Sequence, residues 1–162
     1  MRTVIINGAN GYVASNFINY LLNQHYMVIA LVRGNGQDPE ERMSEVLAHI
    51  NDGKEINTPN LEVYNYSLLD KHFAMNENIL KSIFSNKVDY FHFAISLKYD
   101  EKSIDEIFST NIEGVENSIK VFSRYATKSS RFFYIGTAYS CGKSERIFKE
   151  KFYGNDDISA FR

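Results

Sequence analysis

The chain has 162 residues, of which 44% are hydrophobic and 23% charged, with a formal net charge of −2. That length buries roughly 70% of the surface an unfolded chain exposes, so one domain spanning 1–162 needs no disulfide or metal to hold it, and the composition excludes a disordered chain. The near-neutral charge gives no electrostatic reason to expect nucleic acid or an anionic membrane as a partner. One cysteine, Cys141, excludes an intrachain disulfide and fits a reducing, cytoplasmic compartment. No apolar run approaches the roughly 18 residues of a membrane helix. The opening MRTVIINGANGYV is a strand and turn rather than a signal peptide. Only two prolines, Pro39 and Pro59, and no Ser/Gly-rich tract argue against a long linker.

Short β-branched runs alternate with stretches of helical period. Thr3 to Ile6 is apolar, branched and soon followed by glycine, so it reads as a buried strand. Val13, Phe17 and Leu21, flanked by Ala14, Ile18 and Leu22, predict a helix with a broad apolar face. Met27 to Val32 is a second buried strand, and Met43, Val46, Leu47 and Ile50 mark a second helix. A polar stretch from Asn51 to Asn60 is loop. A third strand starts at Leu61, a third helix holds Ile79, Leu80, Ile83 and Phe84, and a fourth strand runs from Val88 to Ile95. Phe108, Ile112, Val115, Ile119 and Phe122 form a helical stripe of almost four turns, and Phe132 to Ile135 is a fifth strand. Beyond Gly142 the sequence is charged and poorly periodic. This alternation predicts an α/β, Rossmann-like doubly wound parallel sheet with helices on both faces and right-handed crossovers. Ligands in such sheets sit beyond the carboxyl ends of the strands, so each candidate residue must lie just after a strand.

Gly8-Ala9-Asn10-Gly11-Tyr12-Val13-Ala14 follows the first strand and opens the first helix. One glycine lets the backbone turn, a second lets a pyrophosphate approach the main chain, and a small third residue lets helix and strand pack. The free N–H groups and partial positive charge of the helix N-terminus complete a phosphate site. This assigns Gly8, Asn10, Gly11, Tyr12 and Val13 to a dinucleotide. After the second strand, where an NAD site commonly carries a carboxylate, the sequence is Arg33-Gly34-Asn35. Arg33 suits a 2′-phosphate, so NADP(H) is expected in preference to NAD(H), with NAD(H) as the second choice.

With the opening strand, the segment Asn7 to Ala14 resembles the T-G-A-T-G-F-[LIV]-G start of the extended short-chain dehydrogenase/reductase superfamily, with Asn7 and Asn10 where Thr is usual and Ala14 where Gly is usual. Further elements carry the same resemblance. Tyr66-Ser67-Leu68 stands where the family has G-D-[LIV], whose Asp bonds the adenine amino group, and this places Ser67 and Leu68 at the adenine. Val88 to Ser96 is similar to V-D-x-[VI]-[FIY]-H-[LN]-A-A, which puts Ala94, Ile95 and Ser96 along the ribose and nicotinamide side. His92, within that hydrophobic strand, reads as a packed, hydrogen-bonded structural histidine rather than a catalyst. Thr110 to Asn117 resembles T-N-[VI]-x-G-[TV]-x-N, in which Asn111 supports the site from inside a helix, where Asn is a mediocre former.

Gly136-Thr137-Ala138-Tyr139 resembles the S-T-A-Y signature of the branch that holds the fatty acyl reductases, the male-sterility-like proteins and the terminal thioester reductase domains. The resemblance implies that Thr137 polarises the substrate carbonyl. It also implies a catalytic Tyr with a Lys four residues later. Only Tyr139 and Lys143 have that spacing, on a turn interrupted by Gly142, while Tyr153 faces Asp157 at the lysine position. No usable Tyr/Lys pair is therefore expected in this chain, which corresponds to the front half of a family enzyme and ends near the start of the active-site helix.

The reading is an NAD(P)-binding domain of an NADPH-dependent oxidoreductase acting on an acyl thioester or carbonyl, small or carrier-bound, inactive by itself and without a metal. The alternatives are a nucleotide-sugar epimerase or dehydratase of the same superfamily, or a non-catalytic module that senses NADP(H) or docks a partner. Apolar sheet edges leave a homo-oligomer as an open expectation.

Overall fold

A computed structural model describes residues 2–53, 58–98 and 100–136. Five strands, β1 (Thr3–Asn7), β2 (Met27–Val32), β3 (Leu61–Asn65), β4 (Val88–His92) and β5 (Arg131–Tyr134), form one sheet in the order β3-β2-β1-β4-β5. Every neighbouring pair is parallel. The helices are α1 (Tyr12–Asn23), α2 (Pro39–Ile50), α3 (Glu77–Ile83), α4 (Ile104–Phe108) and α5 (Gly114–Tyr125). The chain runs outward from β1 to β3 and then returns to place β4 on the other side of β1. Strand order reverses there, which opens a crevice at the carboxyl ends of β1 and β4.

Each strand sends alternate side chains to opposite faces. Val4, Ile6, Val28 and Ala30 pack with Ile18, Leu21, Met43 and Leu47 from α1 and α2. Ile5, Ile29, Leu31 and Tyr90 pack on the other face with Leu80, Ile83, Phe84 and Val121 from α3, α5 and the end of α3. Burial on both faces explains why β1 and β2 read as continuous apolar runs. Cross-strand aromatic pairs tie β4 to β5. Tyr90 stacks on Phe132 at 5.2 Å and Phe91 on Phe133 at 4.6 Å, each opposite its register partner.

At the amino end of the sheet Asp89, 4% exposed, receives two hydrogen bonds of 2.8 Å from Arg131 and an ion pair from Arg2 Nε at 2.6 Å. A carboxylate taken this far out of water is sustained by that double pairing.

The second helix holds Met43, Val46, Leu47 and Ile50 as expected and begins at Pro39, because Asp38 caps it: its side chain accepts from the Glu40 and Glu41 amides at 2.9 and 3.1 Å, and proline suits the first helical position. The structure corrects two other expectations. β4 stops at His92 rather than Ile95, because the amides of Phe93 and Ala94 turn to a side chain of β1. The expected stripe from Phe108 to Phe122 is not one helix. Ser109–Glu113 forms a π-helical turn between α4 and α5, and the wider turn shifts the helical phase, so Phe108, Ile112 and Ile119 stay 57%, 48% and 47% exposed. The buried side of α5 is Gly114, Ser118 and Val121 instead.

Replacing the α2 cap, Asp38→Ala, is expected to lower stability by about 1 kcal/mol in urea unfolding.

Candidate functional site

The assigned residues follow the strands directly. Gly8 comes after β1, Arg33 after β2, Ser67 and Leu68 two and three residues after β3, and Ala94 to Ser96 just beyond β4. All therefore lie at the carboxyl rim.

Gly8 adopts φ +62°, and a Cβ there would sit 2.8 Å from the Ala94 nitrogen. Glycine is required at this point on both counts. The turn closes through Gly11 N–H donating to the Gly8 carbonyl at 2.9 Å. Gly11 is the N-cap of α1 but no side chain caps the helix, and its first turn carries no acidic residue. The mouth of α1 thus keeps amides without a side-chain acceptor beside a positive dipole end, the arrangement an anion fills. Tyr12 and Val13, 85% and 62% exposed, stand at that mouth with Asn10 half-buried beside them.

Asn7 holds β1 to the start of the segment after β4. Its Oδ1 accepts from Phe93 N–H at 2.8 Å and Ala94 N–H at 3.2 Å. These donors fix the amide orientation, so its Nδ2 donates to His92 Nδ1 at 2.9 Å and to Ser118 Oγ at 3.2 Å. His92 Nδ1 is then an acceptor, and the ring proton lies on Nε2, which donates to the Ala94 carbonyl at 3.0 Å. Burial lowers the His92 pKa from 6.5 to about 4, against the Ala94 hydrogen bond that raises it. The ring is 1% exposed and neutral, and it acts as a structural bracket. The sequence reading treated Asn7 only as a tolerated substitute for Thr. An amide closing an otherwise apolar buried strand must find partners for its donors and acceptor, and that is the signal that singles it out.

Asn111 lies in the π-helical turn and brackets Ser96 in the same manner, accepting from Ser96 N–H at 2.8 Å and donating to the Ser96 carbonyl at 3.1 Å. Helix α5 braces the segment after β3 as well. Asn117 Nδ2 donates to the carbonyls of Leu68 at 2.7 Å and Asp70 at 2.9 Å, and Leu68 presses on Gly114, where an added Cβ would lie 2.6 Å from its Cδ2. Ser67 N–H donates to the Phe73 carbonyl at 2.9 Å. Gly8 N–H donates to the Tyr66 hydroxyl at 3.1 Å. Asn117, Gly114 and Tyr66 are contacts that sequence reasoning did not single out.

Arg33 is exposed at the end of β2, and the next residue is fixed by Gly34 N–H donating to Asn65 Oδ1 at 3.1 Å. Arg42 of α2 donates through Nη1 to the Arg33 carbonyl, which brings a second guanidinium to this corner. Asp38, the nearest downstream carboxylate, is engaged as the α2 cap. Ile95 is 43% exposed along the crevice. Thr137, the Tyr139/Lys143 pair and Tyr153 lie outside the described residues.

A separate cavity of about 830 Å³ between α2 and β3, lined by Met43, Leu47, Leu61 and Val63 among others, shares no residue with this rim. Among the described residues no group of three or more His, Cys, Asp or Glu side chains could hold a metal, and no helix is long and apolar enough to cross a membrane.

The family model described as male sterility protein matches residues 6–160. The chain belongs to that family. No curated protein matches it. Among solved structures, the thiolation-reductase di-domain of an archaeal non-ribosomal peptide synthetase superimposes with TM-score 0.71 at 16% identity, over 87% of this chain and 37% of that one. Gre2 from Candida albicans in complex with NADPH gives 0.61 at 18%, over 83% and 36%. The Bordetella bronchiseptica enzyme WbmH in complex with NAD+ gives 0.58 at 21%, over 88% and 41%. The chain thus spans a little over a third of the length of these proteins. The described residues thus carry the Rossmann-like fold of an NAD(P)-binding domain, as this family and these solved structures share it.

Two outcomes follow for this domain. Gly8→Ala forces a left-handed alanine into the Ala94 backbone and is expected to destabilise the fold by about 2 kcal/mol or more and to abolish dinucleotide binding, read by urea unfolding and fluorescence titration. Between pH 6.5 and 4 the unfolded chain takes a proton at His92 that the folded chain refuses. The stability His92 contributes is complete above pH 6.5 and is lost towards pH 4, amounting to about 3 kcal/mol at most. Urea unfolding of His92→Gln across that range should show a shallower acid slope than the parent, whereas parallel slopes would mean that His92 titrates normally.

Proposed function

We propose that this domain binds NADP(H), in preference to NAD(H), as the cofactor half of an oxidoreductase that reduces an acyl thioester or other carbonyl, with a carrier-bound acyl group as the substrate class. One observation carries the cofactor choice. Arg33 occupies the first position after β2, residues 33–37 contain no carboxylate, and Asp38 is already committed to capping α2. A 2′-phosphate would meet the Arg33 guanidinium, with Arg42 beside it, where an NAD site would offer an acidic side chain.

The residues fit the group. The glycine turn leaves a cradle at Gly8 that a Cβ would fill, and the α1 mouth has no side-chain cap. In this reading those amides take the pyrophosphate, Leu68 and Ser67 border the adenine, and Ala94 to Ser96, held by Asn7, His92 and Asn111, line the path to the nicotinamide. The bound dinucleotide supplies the hydride. Thr137 is assigned to donate a hydrogen bond to the substrate carbonyl oxygen. The proton for that oxygen needs a Tyr activated by a nearby Lys; Tyr139 and Lys143 have the spacing, but Gly142 between them disfavours the helix the pair needs, so in this reading the chain alone binds without turnover.

Calorimetric titration should give tighter binding of NADPH than of NADH. Arg33→Ala should weaken NADPH roughly 10- to 100-fold, the range of a charge-assisted hydrogen bond, and leave NADH unchanged. Equal affinities, untouched by the substitution, remove the 2′-phosphate assignment, and NADPH oxidation with an acyl thioester by the chain alone removes the claim of binding without turnover.

A further inference from the structure

Tyr66 stands where the family pattern G-D-[LIV] has glycine, and its side chain does something a glycine cannot. Its backbone N–H donates to the Val32 carbonyl at 3.2 Å, which keeps Tyr66 alongside the end of β2. From that anchor, just beyond β3, the hydroxyl reaches Gly8 N–H, the first residue after β1. Because the sheet order is β3-β2-β1, the side chain must pass the carboxyl end of β2 to make this contact. In sheets of this kind the residue after β2, here Arg33, addresses the ribose of the adenosine half. The phenol therefore lies between the end of β2 and Gly8, the part of the rim over which such a ribose would sit.

The ring is held there. Tyr66 is 6% exposed and meets Phe73 edge to face at 5.6 Å. Its oxygen accepts the Gly8 amide, while its own O–H finds no acceptor among the hydrogen bonds of the described residues. Burial pushes the phenol up to about 12, against the lowering effects of the Gly8 hydrogen bond and the Arg33 charge, so the proton is present throughout the physiological range. The result is a fixed, protonated donor under the crevice floor with its acceptor side already used.

We infer that Tyr66 is a cofactor-positioning residue that holds the Gly8 amide through its oxygen and donates its proton to the 3′-hydroxyl of the adenosine ribose. The 3′-hydroxyl is chosen because the 2′-carbon carries the phosphate assigned to Arg33. The inference rests on the dinucleotide reading above and adds a contact that the glycine of the family pattern cannot make.

The test is a cycle on the full chain, with ADP, 2′-deoxy-ADP and 3′-deoxy-ADP titrated calorimetrically into the parent and into Tyr66→Phe, which keeps the ring. One neutral hydrogen bond corresponds to roughly a 2- to 12-fold change. The parent should bind 3′-deoxy-ADP more weakly than ADP by a factor in that range, and Tyr66→Phe should lose a similar factor for ADP with no further loss for the 3′-deoxy analogue. A purely structural phenol would weaken all three nucleotides equally and leave the 3′-deoxy penalty intact, which overturns the inference. So does a parent that binds ADP and 3′-deoxy-ADP alike. If Tyr66→Phe does not fold, the parent decides alone. With tyrosine labelled at Cζ, the Tyr66 signal should shift on adding ADP and not on adding 3′-deoxy-ADP, and equal shifts overturn the proposal. A parent that binds neither ADP nor NADPH defeats the nucleotide reading itself, an outcome distinct from intact binding with no 3′ effect.

Discussion

The rim of this domain depends on one buried amide. Asn7 closes the central strand at the point where the chain reverses its order across the sheet, and its side chain satisfies groups from β4, from the segment after β4 and from α5. Parallel strands have no turn to hold their carboxyl ends together, so the crevice between β1 and β4 would be defined only by apolar packing below it. The Asn7 carboxamide supplies the missing specification. Its oxygen ends β4 by taking two amides out of the ladder, and its nitrogen selects the tautomer of His92, which in turn fixes the Ala94 carbonyl. Gly8 then has one location, against the Ala94 backbone, and the glycine turn inherits its position from that contact.

The same logic, side-chain amides bracketing backbone that no ladder can satisfy, recurs at Asn111 on Ser96, Asn117 on Leu68 and Asp70, and Asn65 on Gly34. Each amide serves a loop that follows a strand. The opposite end of the sheet is organised by charge instead, through Asp89 with Arg2 and Arg131. Neutral, directional groups surround the crevice near β1 and β4, and the first turn of α1 carries no acidic residue to oppose the positive end of that helix.

The alternation of strands and helices was legible because burial on both faces leaves a strong signature: Thr3 to Ile6 and Met27 to Val32 are apolar throughout, and Val13 to Leu22 has a single dominant period. The glycine turn was legible because backbone constraints map onto one residue type. What stayed hidden was long-range. Nothing local to Asn7, Asn117 or Tyr66 reveals side-chain hydrogen-bond partners 47 to 111 positions away, and Tyr66, adjacent to a motif position, reads as one more β-favouring aromatic. The π-helical turn was hidden for a related reason. The spacing from Phe108 to Phe122 satisfies a regular helix, and the wider turn is where Asn111 meets Ser96, a long-range contact with no local signal. Asp38 was the opposite case, since an acidic residue before Pro39 is a local capping signal that the apolar period of α2 overshadowed.

One further feature bears on how the molecule is made. After β3 the chain passes through Lys71–Ala74, where His72, Phe73 and Ala74 all have positive φ, between +53° and +57°. None is glycine, so each residue opposes this conformation by about 1 kcal/mol or more, and no local preference can generate it. It persists because Phe73 is completely enclosed in the second apolar cluster and its carbonyl takes the Ser67 amide. The left-handed turn therefore depends on the sheet and α3 enclosing that ring. The Ser67–Leu68 wall of the crevice thus owes its shape to tertiary burial of a neighbouring ring rather than to any preference of its own residues.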